Sequence, residues 1–205
     1  RDTTLNELDI FFWGMMILSG LAVMLAIYRA NVRNHHSERT KKDIAKTLRS
    51  MAPLREWKVL DDVTLTDKKG EVTADHLVIG PFGVLALTDL HRRGGYYGEL
   101  RDEEWVLSTG GEDKVETLRM KVPSPVKNNE RFVAAFRALL TRGEVYNVPV
   151  EALCPVTQSK IEVYVTGAGA TVVERGKLRE TLGRQKYQKD NGVDTEKVAA
   201  LVAKK

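Results

Sequence analysis

The hydrophobic pattern of this chain begins with a block. No charged residue occurs from Ile10 to Tyr28, and Phe11, Phe12, Trp13, Met15, Met16, Ile17 and Leu18 would leave every side of a helix apolar. At about 1.5 Å per residue such a helix spans roughly 28 Å, close to a hydrocarbon core about 30 Å thick. Gly14, Ser19 and Gly20 would weaken a helix in water, but small residues let membrane helices approach one another. Trp13 and Tyr28 sit near the two ends, as interfacial anchors do. The pattern predicts a single transmembrane helix over 10–28. A cleaved signal peptide fits poorly, because the leading flank is acidic (Asp2, Glu7, Asp9 against Arg1) and Tyr28-Arg29-Ala30 is a poor cleavage site. The chain opens on Arg1, so residues upstream of it are expected.

Beyond the block the pattern shortens and alternates. Ser37 is placed to cap a helix reaching Met51, with Ile44, Ala45, Leu48 and Met51 on one face and Pro53 ending it. Strand-like runs follow over 57–66, 72–79 and 82–88, separated by Asp67-Lys-Lys-Gly70 and Gly80-Pro81. Gly94-Gly95 opens a further hairpin with Tyr96-Tyr97 and Trp105-Val106-Leu107 as strands, and 110–121 reads as polar loop. Ser124-Pro125 starts a helix to Leu140 with Phe132, Val133, Phe136, Leu139 and Leu140 as its apolar stripe, and Gly143 stops it. Strands are expected over 150–156 and 161–165, a hairpin turn over 167–172, and helices over 174–182 and 195–202. The order predicts a mixed α/β domain over 37–205.

Charge then gives the chain a direction. After the block come Arg29, Arg33, Arg39, Lys41, Lys42, Lys46 and Arg49, opposed only by Glu38 and Asp43. The positive-inside rule places 1–9 outside, 10–28 across and 29–36 as a basic juxtamembrane linker on the cytoplasmic face of a bacterial-type cell membrane. Arg29, Arg33, Arg39, Lys41 and Lys42 are the residues expected to meet anionic lipid, each worth roughly 1 kcal/mol near the surface. The formal net charge of +4 over 205 residues neither requires nor excludes nucleic acid. The single cysteine, Cys154, cannot form an internal disulfide and lies in an apolar run, as a buried small hydrophobe would. His76 and His91 have no zinc-site spacing with it, so no metal is expected there.

One stretch carries more than a pattern. Asp75-His-Leu-Val-Ile-Gly-Pro-Phe-Gly-Val84 resembles the nuclease-related domain (NERD) family, with its Asp-His pair entering an apolar strand, a tight Gly turn and a second apolar strand. Gly95-Tyr-Tyr-Gly98 with Trp105, and Ser124-Pro125-Val126-Lys127-Asn128-Asn129 opening a helix, continue the resemblance over roughly 41–165. It implies a restriction-endonuclease-like αβββαβ core and a metal-dependent phosphodiesterase ancestry. The family pattern has an Asp on one strand and Glu-x-Lys on the next, converging on Mg²⁺ because residues two apart share a strand face. Asp75 fits the first position, but the other two fall on Thr88 and Leu90. The family's acidic residue on the first helix corresponds to Lys41-Lys42.

Asp75, Thr88 and Leu90 therefore read as a vestigial site with no catalytic residue and no cofactor. A rearranged site of Asp75, Asp89 and Glu99 would be the route back to Mg²⁺ chemistry. A lone Asp75 would pair with Arg92 or Arg93 or cap a turn. His91, Arg92 and Arg93 are the candidate phosphate contacts, with Arg175, Lys177 and Arg179 as a second basic cluster. The expectation is a non-catalytic accessory or scaffold subunit partnered by membrane proteins. The alternative is a nuclease or a nucleic-acid-binding module at the membrane surface.

Overall fold

The computed structural model describes residues 7–110, 118–167 and 171–203, with first-helix side chains described at 13, 15–24 and from 39 onward. That helix, α1, runs unbroken over Glu7–Met51. Ser37 lies inside it and not at its start. Between Tyr28 and Ser37 there is neither Gly nor Pro to interrupt the backbone. The helix stops before Pro53, which opens a single 3₁₀ turn over Pro53–Arg55.

Contacts divide the chain into two compact units, Arg1–Arg39 and Thr40–Lys205. In the first, Trp13, Met15, Met16, Ile17, Leu18, Leu21, Val23 and Met24 are all 58–76% exposed. Among the described residues no helix is long and apolar enough to cross a membrane. Of the predicted span, side chains are described only at 13 and 15–24, fewer than the ~20 residues a crossing needs. Ser19 Oγ donates to Met16 O at 2.9 Å, and a Cβ on Gly20 would meet nothing within 4 Å. Gly14, Arg29 and Arg33 lie outside the described side chains.

The second unit is built on two sheets. Strands β1 (Lys58–Asp67), β2 (Gly70–Gly80) and β3 (Gly83–Leu87) form consecutive antiparallel hairpins. Next come β4 (Gly94–Glu99), β5 (Glu104–Thr109) and β6 (Leu118–Pro123), then α2 (Pro125–Arg142), β7 (Val150–Pro155) and β8 (Ile161–Thr166). The two-residue strand β9 (Val172–Val173), α3 (Leu178–Leu182) and α4 (Thr195–Ala203) complete the chain. The larger sheet has the order β1-β2-β3-β7-β9, with β3 and β7 parallel across the α2 crossover. The αβββαβ core implied by the resemblance is present. In the second sheet, ordered β6-β5-β4-β8, strands β4 to β6 are inserted between β3 and α2, and β8, which follows β7 in the chain, joins it by pairing parallel to β4.

The larger sheet is covered on both faces. Phe132, Ala135, Phe136 and Leu140 of α2 and Val198 of α4 pack with Leu77, Ile79, Val84 and Ala86. Leu48 and Met51 of α1 and Leu178 and Leu182 of α3 pack with Val78, Leu85 and Leu87. Helix α2 starts where Ser124 Oγ accepts the Lys127 N–H at 3.3 Å, with Pro125 at the first helical position. At Gly83 (φ 132°) an added Cβ would collide with the Pro149 carbonyl, so glycine is what lets β3 lie beside β7.

The strand alternation changes phase once, at Asp62 and the facing Asp75. Val59 and Val78 belong to the cluster under α1, whereas Val63, Leu65, Val72 and Ala74 belong to the cluster under α2. Asp62 takes a left-handed backbone (φ 51°) at this step, a conformation Asp tolerates better than most residues. This reversal brings carboxylates from both strands toward α1.

Three further expectations require correction. Residues 118–121, predicted as the end of a loop over 110–121, belong to β6 (Leu118–Pro123); residues 111–117 lie outside the described residues. The helix predicted over 174–182 is only Leu178–Leu182, because Gly176 (φ 80°) interrupts it. The hairpin expected over 167–172 is a crossing, since β8 and β9 lie in different sheets; residues 168–170 lie outside the described residues.

Candidate functional site

Asp75 is on β2, its side chain 16% exposed. One oxygen, Oδ1, is in contact with the ammonium of Lys41 from α1, and the other accepts the Asp89 N–H at 2.8 Å. The Lys41 Nζ also donates to Asp62 Oδ1 at 3.1 Å. The cation on Asp75 is thus Lys41, and neither Arg92 nor Arg93 supplies it. Burial works against the Lys41 charge, but Asp75 and then Asp62 outweigh it and hold its pKa above the ordinary lysine value.

Thr88 and Leu90 part company just past the end of β3. The Thr88 hydroxyl donates to Asn129 Oδ1 at 2.7 Å and accepts from Asn128 Nδ2 at 3.1 Å, both on α2. Asn129 is buried and spends its amide on Leu153 O (3.1 Å) and Cys154 Sγ (3.2 Å). Leu90 bridges to Val156 and is buried in the apolar cluster under the second sheet, with Trp105, Leu107 and Cys154.

Between them, Asp89 turns inward. Its side chain is 0% exposed, and its Oδ2 stands 3.3 Å from His76 Nε2, itself 2% exposed. Neither Asp89 oxygen nor His76 Nε2 has a hydrogen-bond partner. His76 Nδ1 meets Asp61 Oδ1 at 2.7 Å, and Arg49 of α1 pairs with Asp61. Burial raises the Asp89 pKa, with the His76 charge pulling the other way. Burial disfavours the His76 imidazolium, yet Asp89 and then Asp61, one on each ring nitrogen, raise its pKa. Each group supplies the opposite charge that the other needs when ionised, which offsets part of the cost of burying both.

The remaining candidates lie apart. His91 Nδ1 is 3.3 Å from Asp89 O, and its own carbonyl accepts from Gln158 Nε2 at 2.5 Å. Arg93 donates to Gln158 Oε1 at 2.9 Å, and the Arg92 carbonyl accepts from Tyr96 Oη at 3.1 Å, leaving both arginine side chains exposed. Glu99, on β4 of the second sheet, pairs with Arg101 at 2.7 Å. Arg39 and Lys42 are exposed; Arg179 donates to Ser50 Oγ and Lys177 pairs with Glu174. Cys154 is fully buried, and burial pushes its thiol up to about 12, with the charges of Asp89 and Asp75 adding to the effect.

A divalent cation does not fit these residues. Of the three family positions only Asp75 carries a carboxylate. Both its oxygens are engaged, a hydroxyl bonded to two asparagines stands at the second, and a core leucine stands at the third. Among the described residues no group of three or more His, Cys, Asp or Glu side chains is arranged to hold a metal ion.

Pattern reading missed Asp61, Asp62 and Asn129. The acidic pair Asp61-Asp62 in an otherwise apolar strand was the available signal, since charge inside a strand usually marks a partner. The family model described as nuclease-related domain matches residues 36–157, more than half of the chain. No curated protein and no solved structure matches it. That match covers the end of α1, the three hairpin strands, the inserted strands and β7, the elements that carry the site. The chain belongs to the nuclease-related domain (NERD) family.

Proposed function

We propose that the protein is a non-catalytic, membrane-anchored NERD-domain protein that serves as an accessory or scaffold subunit of a membrane assembly. The observation that carries the loss of catalysis is the Lys41 ammonium lying on Asp75, the one carboxylate left in the family's triad. Phosphodiester cleavage of the metal-dependent kind needs an ion on that carboxylate and a lysine beside the attacking water. Here the ion's place is taken and the lysine position is a buried leucine.

Membrane attachment rests on the uncharged run from Ile10 to Tyr28 and on the exposure of every large apolar side chain described within it. Such a surface is too apolar to be left in water and requires lipid or protein against it. The positive flank after it, with Arg39 and Lys42 exposed, favours a cytoplasmic orientation and contact with anionic headgroups.

The test is purification of the chain from native membranes in mild detergent. Stoichiometric membrane-protein partners, with no Mg²⁺- or Mn²⁺-dependent cleavage of DNA or RNA, are expected. Cleavage that Asp75→Ala abolishes would sink the non-catalytic reading. A second reading, a nucleic-acid-binding module, draws on the exposed Arg92 and Arg93 side chains; steeply salt-dependent DNA binding lost in Arg92→Ala/Arg93→Ala would favour it.

A further inference from the structure

Several groups around Asp75 carry charge, and their count is informative. Asp61, Asp62, Asp75 and Asp89 bring four carboxylates from β1, β2 and the end of β3. Facing them are Lys41 and Arg49 from α1 and His76 from β2. Arg49 and His76 are spent on Asp61 and Asp89, so among the described residues Lys41 alone answers Asp62 and Asp75. Remove it, and two carboxylates from facing strands are left together, with Asp89, whose backbone N–H binds Asp75, held on the other side by His76. Two negative charges in oxygen ligands are what a hard divalent cation seeks.

The resemblance sets Lys41-Lys42 against the family's acidic residue on the first helix, and of the two it is Lys41 that reaches Asp75. A single reversal of sign at that position turns a side chain that would help hold a cation into one that is a cation. The backbone accommodates it: the left-handed Asp62 points its carboxylate to the same ammonium that Asp75 contacts.

We infer that the Lys41 ammonium is a built-in replacement for the divalent cation, so that α1 closes the old metal site with its own charge and converts it into a clasp between helix and sheet. This rests on the non-catalytic reading and deepens it, because it names what fills the site. The clasp is indifferent to divalent ions as long as Lys41 is present, and a latent cation site is exposed once Lys41 is gone.

The experiment uses the whole chain in detergent, melted in EDTA and in Mn²⁺, with Mn²⁺ binding followed by electron paramagnetic resonance. Wild type is expected to melt within about 1 °C in the two conditions. Lys41→Glu, which restores an acidic group, is expected to bind Mn²⁺ and to gain roughly 3–6 °C at tenfold excess over Kd. Should Lys41→Glu fail to fold, Lys41→Met serves: it melts below wild type in EDTA and is rescued by Mn²⁺ or by adding Asp75→Asn. Mn²⁺ binding by wild type that Asp75→Asn removes would overturn the inference, as would a Lys41→Met variant that melts like wild type and binds no Mn²⁺. Those results leave the non-catalytic reading standing unless metal-dependent cleavage accompanies them.

Discussion

Replacing His76 by leucine tests the electrostatics of this site most directly. The substitution leaves Asp89, with a side chain 0% exposed and no hydrogen bond to either oxygen, without the cation that faces it at 3.3 Å. Removing one member of a buried ion pair costs about 3–5 kcal/mol. The accompanying loss of the His76–Asp61 contact adds less than about 1 kcal/mol, because Asp61 is 30% exposed and keeps Arg49. Asp89 can escape by taking up a proton, which makes the cost depend on pH.

With His76 gone, the folded Asp89 pKa climbs further above its unfolded value. Stability is then greatest at low pH and falls as pH rises from about 4, with a slope limited to ~1.4 kcal/mol per pH unit. In wild type the raised His76 pKa contributes stability that is present below about 6.5 and lost as pH rises through the folded value. Because the Asp89 pKa is raised in wild type as well, only its further rise counts, and the cost of His76→Leu should grow between pH 5 and 6.5 by at most ~2 kcal/mol, read by equilibrium urea unfolding. Adding Asp89→Leu should restore stability to wild type or above and flatten the slope. A cost below about 1 kcal/mol that does not change with pH, or a double variant no better than the single, would refute the paired-charge account.

Cys154, buried at 0% with its thiol pushed up to about 12, should resist a thiol-specific reagent in the folded chain and react at once in urea. Ser124→Ala removes the α2 cap and should cost about 1 kcal/mol in the same unfolding assay, because Ser124 is buried and water cannot replace its hydroxyl. Leu18→Arg places a charge in the exposed apolar run and should weaken membrane insertion by about 2.5–3.5 kcal/mol, seen as release of the chain from carbonate-washed membranes.

What sequence could and could not reveal follows from the range of the interactions. The hairpins β1–β2 and β2–β3 were legible because Asp67-Lys-Lys-Gly70 and Gly80-Pro81-Phe82-Gly83 close within a few residues. The α2 boundaries were legible for the same reason, with Ser124, Pro125 and Gly143 acting locally. Strand β6 was not, because it lies at the edge of its sheet and buries only Val122, so its alternation is nearly silent. The second sheet itself depends on β4 meeting β8 across more than sixty residues of chain, and no window reports such a pairing. At the site, the residues standing at the family positions could be read off directly. The partner of Asp75 could not, because Arg92 and Arg93 are nearer in sequence to β3, whereas Lys41 reaches it through the packing of α1 on the sheet.

The phase change at Asp62 shows why that partner matters. Had the alternation of β1 and β2 run on undisturbed, Asp62 and Asp75 would both point toward α2, where Thr88, Asn128 and Asn129 form a neutral hydrogen-bonded cluster. The left-handed step at Asp62 instead brings them to Lys41. The exposed Asp62–Lys41 contact is worth at most about 1 kcal/mol, and Asp is among the residues that adopt this conformation most readily. The step at Asp62 thus delivers a carboxylate to Lys41 at small cost. Lys41→Met should release Asp62 as well as Asp75, which links the backbone of β1 to a single charge on α1.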